Sequence, residues 1–219
     1  MEFRDFGERR SVQRPNLEAV DLEEHPGLFK GLVDLTAVVV EGGAHTGVRS
    51  EGAITYGSLT DVGLGETHIQ PLRLADVVMR RCDLSNARWR DVGMSRVELD
   101  GCRAVGLALS GTLDDVYAVD TRFDMMALGR ERGRAWTVFE RCSFKDAVLS
   151  GSFDRVIFRD CDLSGAEFEA TSARGADVRG SRLDGVRGLM TLRGATLDGD
   201  QAREVAEQLA AEAGFLVAR

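Results

Sequence analysis

The chain lacks the features that mark membrane proteins and densely packed globular enzymes. Its 219 residues contain no run of 18 apolar residues, so no membrane-spanning helix is predicted. Its first residues contain no secretory apolar segment, and we expect a soluble, cytoplasmic protein. Aromatic residues make up only 6% of the chain, whereas glycine occurs 25 times. This composition is typical of a chain with many tight corners and few large core side chains.

Signatures of catalysis and of metal or cofactor binding are also missing. The sequence has three histidines, His25, His45 and His68, and none stands in a metal-ligand or nucleophile motif. Gly63 and Gly65 lack the third glycine of a dinucleotide-binding loop. Aspartates that precede leucines, such as Asp83 and Asp162, are expected to face solvent. We therefore predict a protein that is not an enzyme, with no catalytic residues, no cofactor and no metal site.

What the sequence does contain is an apolar residue at every fifth position. The first uninterrupted series holds twelve members: Ile54, Leu59, Leu64, Ile69, Leu74, Met79, Leu84, Trp89, Met94, Leu99, Ala104 and Leu109. A small or branched residue stands two positions before each. A step of five fits neither an α-helix nor an alternating strand, so the period indicates a repeating backbone turn. If four such units close one square coil, each coil takes about 20 residues.

The four cysteines support a 20-residue coil independently. Cys82 and Cys102 are 20 residues apart, Cys102 and Cys142 are 40 apart, and Cys142 and Cys161 are 19 apart. These spacings place all four on the same side of successive coils, pointing inward. We expect reduced thiols that behave as small core residues, in preference to disulfides or a thiolate metal site.

The repeat unit resembles that of a known family. Cys82-Asp83-Leu84-Ser85-Asn86, Cys161-Asp162-Leu163-Ser164-Gly165 and Ala176-Asp177-Val178-Arg179-Gly180 are similar to the motif of pentapeptide-repeat proteins. The resemblance covers about two thirds of the chain and implies an all-β fold, a right-handed quadrilateral β-helix. This family includes quinolone- and gyrase-inhibitor-resistance proteins, whose rod mimics duplex DNA and occupies the DNA site of DNA gyrase.

Both ends of the chain depart from the repeat, although we expect a single domain, 1–219. Residues 1–51 are predicted to be irregular leading coils or a cap over the N-terminal end of the rod, and residues 52–199 to be regular coils. Residues 200–219 are predicted to be a capping α-helix and a tail. The apolar stripe of this helix consists of Ala202, Val205, Ala206, Leu209 and Ala213. Phe215, Leu216 and Val217 form an apolar tail that would join two copies end to end.

Three phase slips interrupt the regular coils. Two are steps of four, Leu109 to Leu113 and Leu149 to Phe153, and they are expected to stack on one corner. The third falls between Leu128 and Phe139, where the intervening inward slots hold Gly133 and Arg134, and an inward Arg134 would be an unpaired buried charge. Residues 129–136 are therefore predicted to form an outward loop. Its candidate partner-binding residues are Arg130, Arg132, Arg134 and Trp136.

A second candidate binding surface is a column of apolar residues in outward slots. The column consists of Val78, Tyr117, Val138 and Ile157, and it is interrupted by Glu98. Apolar residues are common on surfaces singly, but less so in a line. Two explanations remain open: a partner binds the column, or the N-terminal leader or the loop folds over it.

The resemblance implies a protein that binds a type II topoisomerase, DNA gyrase, and modulates it or protects it from an antibiotic. It does not imply direct binding to nucleic acid. The charge pattern argues against close mimicry of DNA, because residues 51–199 carry 23 acidic and 20 basic side chains, a net charge of −3, in mixed order. The alternative function is a structural or scaffold module that binds another protein partner.

Overall fold

The computed structural model describes residues 2–26 and 31–216, and its core is a parallel β-solenoid of about eight turns. The coil strands are β4 (Gly31–Glu41), β5 (Arg49–Thr60), β6 (His68–Arg80), β7 (Arg88–Asp100), β8 (Ala108–Val119), β9 (Ala127–Arg130), β10 (Thr137–Glu140), β11 (Val148–Ser152), β12 (Val156–Arg159) and β13 (Glu167–Ser172). Each pairs in parallel with the strands of the next coil. The predicted all-β solenoid with a C-terminal helix is confirmed.

The five-residue period arises from the corners of the coil. Residues with a left-handed backbone recur every five positions, for example Asp76, Arg81, Asn86, Asp91 and Arg96, all with φ between 49° and 56°. Glycine, asparagine and aspartate adopt this conformation at least cost. One such residue per unit turns the chain, so the flanking apolar residues return to the interior.

The interior is a stack of like side chains. Phe123 stacks on Phe144 with 4.9 Å between ring centroids, and Phe139 stacks on Phe158 at 5.2 Å. The two stacks meet edge to face, an arrangement that adds about 0.5–1.5 kcal/mol per pair to the burial term. Burial itself stabilises the rod by about 1.5–3 kcal/mol per large apolar side chain.

The cysteines occupy one inward column, as the spacing predicts. All four are buried and free, and Thr121 stands between Cys102 and Cys142 in the same column. Its Oγ1 accepts a hydrogen bond from the Cys102 backbone N–H at 3.1 Å and donates one to the Val119 carbonyl at 2.9 Å. Burial raises the pKa of the Cys161 thiol. The column is therefore an apolar part of the core.

Residues 2–16 lie along a side of the rod and not over its end, whereas the prediction for residues 1–51 allowed either leading coils or a cap. A short antiparallel hairpin, β1 (Phe3–Asp5) and β2 (Ser11–Gln13), is followed by a 3-10 helix, Leu17–Ala19. β3 (Glu23–Glu24) then pairs with Val38 and Val39 of β4. Residues 2–16 are called the leader below.

The C-terminal end of the rod is closed by two short helices, α1 (Gly199–Glu204) and α2 (Ala206–Glu212). Asp198 caps α1 in a capping box with Gln201. The buried Gln201 Nε2 donates to the Val178 and Ser181 carbonyls, each at 2.7 Å. Glu212 accepts from backbone N–H groups of a second 3-10 helix, Leu189–Thr191. These bonds satisfy polar groups that an open solenoid end would expose.

Candidate interaction surface

The apolar column in the outward slots is covered by the leader. Val78, Tyr117, Val138 and Ile157 are each 5% exposed or less. Tyr117, Val138 and Ile157 form an apolar cluster with Val12, and Phe6 and Trp136 pack against it. The column therefore stabilises the chain's own leader, and it is not a free partner-binding surface as its residues suggested.

Polar contacts hold the leader along the same side. Asn16 donates its backbone N–H to Asp76 at 3.1 Å, and Gln13 donates its N–H to Asp115 at 2.9 Å. Arg14 Nε donates to Glu98, the residue that interrupts the column, at 3.0 Å. Further contacts involve Arg10 with Asp177, and Arg4 with Glu98. From Arg10 to Asn16 the leader thus crosses coil after coil toward the N-terminal end of the rod.

Aromatic and cationic groups complete this interface. The guanidinium of Arg4 lies 3.7 Å from the centre of the Tyr117 ring, and that of Arg10 lies 5.6 Å from the centre of the Trp136 ring. Tyr117 donates its hydroxyl to Glu140 at 2.6 Å. Burial, together with this hydrogen bond, raises the pKa of Tyr117 to about 12. Trp136 therefore belongs to the intramolecular interface, and it does not stand out as a free anchor.

Arg130 points into the rod, contrary to the prediction of an outward loop. It is 2% exposed and belongs to β9. Its Nη1 donates to the Ser152 carbonyl at 2.6 Å, and its Nη2 donates to the Leu113 carbonyl at 3.3 Å and to the Thr137 hydroxyl at 3.4 Å. Burial lowers the pKa of Arg130. The guanidinium thus bonds backbone carbonyls at the irregular coil and is not available to a partner.

The rest of the predicted loop is exposed but follows the coil closely. Arg132 is 75% exposed and its nearest carboxylate oxygen, on Asp154, is 3.8 Å away. Arg134 is exposed, while its backbone N–H donates to Asp114 at 2.6 Å. The Arg134 carbonyl accepts from Arg155 at 3.0 Å. Of the four predicted loop residues, only Arg132 and Arg134 present their side chains to solvent.

The predicted dimerisation residues divide into two groups. Leu209 is half-buried and packs against the core together with the buried Val205, so it contributes to the cap. Phe215 is 69% exposed and Leu216 is fully exposed. Val217 lies outside the described residues. The exposed tail residues remain candidates for contact with another molecule.

The charged surface is neutralised largely from coil to coil. Arg81 pairs with Asp61 through two hydrogen bonds, at 2.8 and 2.7 Å, and Arg141 pairs with Asp120 in the same way at 2.8 and 2.9 Å. Each pair spans adjacent coils on a corner. Because these side chains are exposed to solvent, the pairs contribute little to stability. At these corners an acidic side chain is paired with a basic one, unlike the uniformly acidic surface that a duplex mimic would present to a basic groove.

No chemical centre is visible in residues 2–26 and 31–216. That part of the chain contains no group of three or more histidine, cysteine, aspartate or glutamate side chains placed to hold a metal ion. Nor does it contain a helix long and apolar enough to cross a membrane. What the geometry provides is a rod with one side covered and three sides open.

Comparison with known protein families gives a match where the repeat is most regular. Residues 152–187 match the model for pentapeptide repeats, with eight copies. The chain therefore contains a segment of pentapeptide repeats. The match falls on β12, β13 and the coils that follow them, and the coil geometry extends the same repeat in the N-terminal direction to β4.

Two solved structures are reported for their likeness to this chain. Full-length QnrB1, described as a plasmid-mediated fluoroquinolone resistance protein, is 20% identical with a TM-score of 0.41, over 85% of this chain and 99% of that chain. HetL from Nostoc sp. strain PCC 7120, involved in heterocyst differentiation regulation, is 14% identical with a TM-score of 0.28, over 77% and 89%. A search of curated protein sequences gave no match. At these identities and TM-scores the likeness carries no conclusion about what the present chain binds.

Proposed function

We propose that this pentapeptide-repeat protein is a non-catalytic binding protein that acts on a type II topoisomerase, DNA gyrase, and modulates it or protects it from an antibiotic. The observation that carries the proposal is the rod itself. The repeat units Cys82–Asn86 and Cys161–Gly165 resemble those of the gyrase-directed resistance proteins. The rod is unbroken from β4 to the capping helices, and its open sides offer a long, regular surface to a protein groove.

The surface that supports this function lies away from the leader. The leader covers the side of Tyr117 and Val138, so a partner has access to the other three sides. The exposed arginines of the segment 131–135, Arg132 and Arg134, break the regular surface on one of those sides. We propose that these two arginines contact the topoisomerase.

The proposed mode of binding does not rely on imitating the negative charge of a DNA duplex. Because corner charges such as Arg81 and Asp61 neutralise each other, few counterions would be released when the rod enters a basic groove. The contact would then depend on shape and on a few exposed side chains. We also propose that two copies join end to end through Phe215, Leu216 and Val217, which would lengthen the rod to suit a two-fold symmetric enzyme.

The test is DNA supercoiling by purified gyrase, with and without a fluoroquinolone, titrated with this protein. We expect inhibition or protection at micromolar concentration. The double variant Arg132→Ala, Arg134→Ala should weaken the effect at least about tenfold, which corresponds to about 1.4 kcal/mol of lost binding. Its matched control, Arg103→Ala with Arg193→Ala, removes two exposed arginines elsewhere and should retain the effect.

The absence of inhibition and of protection by the unmodified chain would rule out the topoisomerase function. The second candidate, a scaffold module for another protein, would then be favoured. The specific observation that favours the scaffold function is the balanced surface charge of the rod, which gives no preference for a DNA-binding groove.

A further inference from the structure

One open side of the rod carries a patch of small side chains. This side begins with the first residues of β8, β9 and β11, and its outward positions stack coil on coil. The small-residue patch consists of Ala108, Ser110, Ala127, Gly129, Val148 and Ser150. Ala127 is exposed and Val148 is 40% exposed. With no long side chain in its middle, this side permits close approach of another flat surface.

Opposite charges flank the patch at equal distances. Arg88 stacks on Ala108, which stacks on Ala127, and Arg90 follows in the same strand as Arg88. In the other direction Ala127 stacks on Val148 and then on Glu167, with Glu169 two residues further along β13. The two arginines and the two glutamates therefore lie two coils on either side of Ala127, or about 10 Å away at the strand spacing.

These charges differ from those on the corners because most of them have no partner. In the part of the chain that the structure describes, Arg88, Arg90 and Glu169 make no ion pair with another side chain. Glu167 pairs with Arg187 of the next coil at 2.8 Å, but both side chains remain well exposed. The side thus carries unsatisfied charges of opposite sign at its two ends.

We propose that this side binds the same side of a second copy, with the two rods antiparallel. The two-fold axis would run along the strands at the level of Ala127. Arg88 would then face the partner's Glu167, and Arg90 would face the partner's Glu169, and each contact would occur twice by symmetry. The patch would meet its own equivalent, with Ala127 against the partner's Ala127.

The charges select this orientation over the parallel one. If the rods ran parallel about an axis along their length, Arg88 would face the partner's Arg90, and Glu167 would face the partner's Glu169. Like charges brought together in this way oppose association. In the antiparallel arrangement the outermost coils add no attraction, because His68 would face the partner's Arg187. The interface is also narrow, so we expect a weak dimer that depends on concentration and on salt.

This contact is independent of the end-to-end contact through the C-terminal tail and of the identity of any other partner. The leader covers a different side, and the capping helices lie at the end of the rod. Both contacts can therefore form in the same molecule. The side-by-side contact uses only residues from Arg88 to Glu169 and does not involve Phe215 or Leu216.

Sedimentation velocity over a range of concentrations at low salt tests the pairing. Ala127→Arg places two cations against each other on the axis and should raise the dimer Kd at least about tenfold. Ala44→Arg is the matched control, because Ala44 is also an exposed alanine in an outward slot, but on another side. It should leave the Kd unchanged.

A mixing experiment distinguishes this proposal from a general loss of association. The variant R88E/R90E makes both ends of the side acidic, and E167K/E169K makes both ends basic. Each variant alone should be monomeric, whereas an equimolar mixture should dimerise about as tightly as the unmodified chain, because it restores four contacts between opposite charges. Unchanged dimerisation of Ala127→Arg, or a mixture that stays monomeric, would overturn the proposal.

Discussion

Two coils contain a step of four residues in place of five, and glycine is required at the corner where that shorter step falls. Gly111 has φ of 145°, and a Cβ added there would lie 2.0 Å from the Val92 carbonyl oxygen of the preceding coil. Gly151 meets the Arg130 carbonyl oxygen in the same way at 2.1 Å. These are the two steps of four in the repeat. The shorter step brings the backbones of adjacent coils together, which leaves no room for a side chain.

The first prediction compares two glycines of the same region. Gly111→Ala should destabilise the rod by at least about 2 kcal/mol, because left-handed strain alone costs about 1–3 kcal/mol and backbone overlap adds to it. Gly129→Ala is the control, since its Cβ would meet its nearest neighbour at an ordinary 3.5 Å. Urea unfolding measures both. Equal stabilities of the two variants would contradict this account.

Arg130 shows where reasoning from the sequence reached its limit. The repeat correctly predicted the inward slots, and Leu84, Phe144 and Leu163 are fully buried. It placed Arg130 outside as part of the loop 129–136, which was inferred from the cost of burying Arg134 without a partner. In the structure, however, Arg130 stacks between Gly111 and Gly151. Gly133 leaves space for the guanidinium, since a Cβ added there would lie 2.8 Å from Arg130 Nη2, and main-chain carbonyls accept from both Nη groups. Gly133, three residues after Arg130, was the signal that could have indicated this.

At the scale of the elements, the leader is an additional packing layer that the period could not predict. Val12 is 1% exposed and packs against Tyr117, Val138 and Ile157. Short antiparallel strands that lie on the side of a solenoid have no five-residue repeat of their own. The sequence did leave this explanation of the outward column open, since a line of apolar residues requires some cover. The decision between leader and partner depended on tertiary contacts.

The second prediction concerns this layer. Val12→Asp would place a carboxylate in an apolar cluster, at a cost of several kcal/mol. Detachment of the leader relieves that cost, so we expect the leader to open while the coils remain folded. Hydrogen exchange should show lost protection at residues 3–13 and retained protection in β6 and β7. Phe3→Asp is the matched control, because Phe3 lies in the same hairpin and is 59% exposed. Global unfolding of Val12→Asp would show instead that the coils depend on the leader.

At the scale of the whole molecule, the fold was more predictable than the contacts it makes. A period maintained over some 150 residues determines the coil, because every unit repeats the same inward and outward slots. The apolar stripe predicted for the C-terminal helix was only partly right. Val205 and Leu209 face the core, but Ala202 and Ala206 are exposed, because the helix is interrupted at Val205. Docking onto the last coil, through Gln201, decides which face is buried.

The last prediction separates the two ways in which copies of this rod would associate. Removal of residues 214–219 takes away the exposed Phe215 and Leu216 but leaves the Glu212 contacts that close the end of the coil. The truncated chain should keep its unfolding free energy within about 0.5 kcal/mol, because the described residues that it loses, 214–216, are exposed. It should lose end-to-end assemblies and retain the side-by-side dimer through Ala127. The frictional ratio from sedimentation distinguishes a long particle from a short, wide one. A truncated chain that still forms the long particle would show that the tail is not the joint.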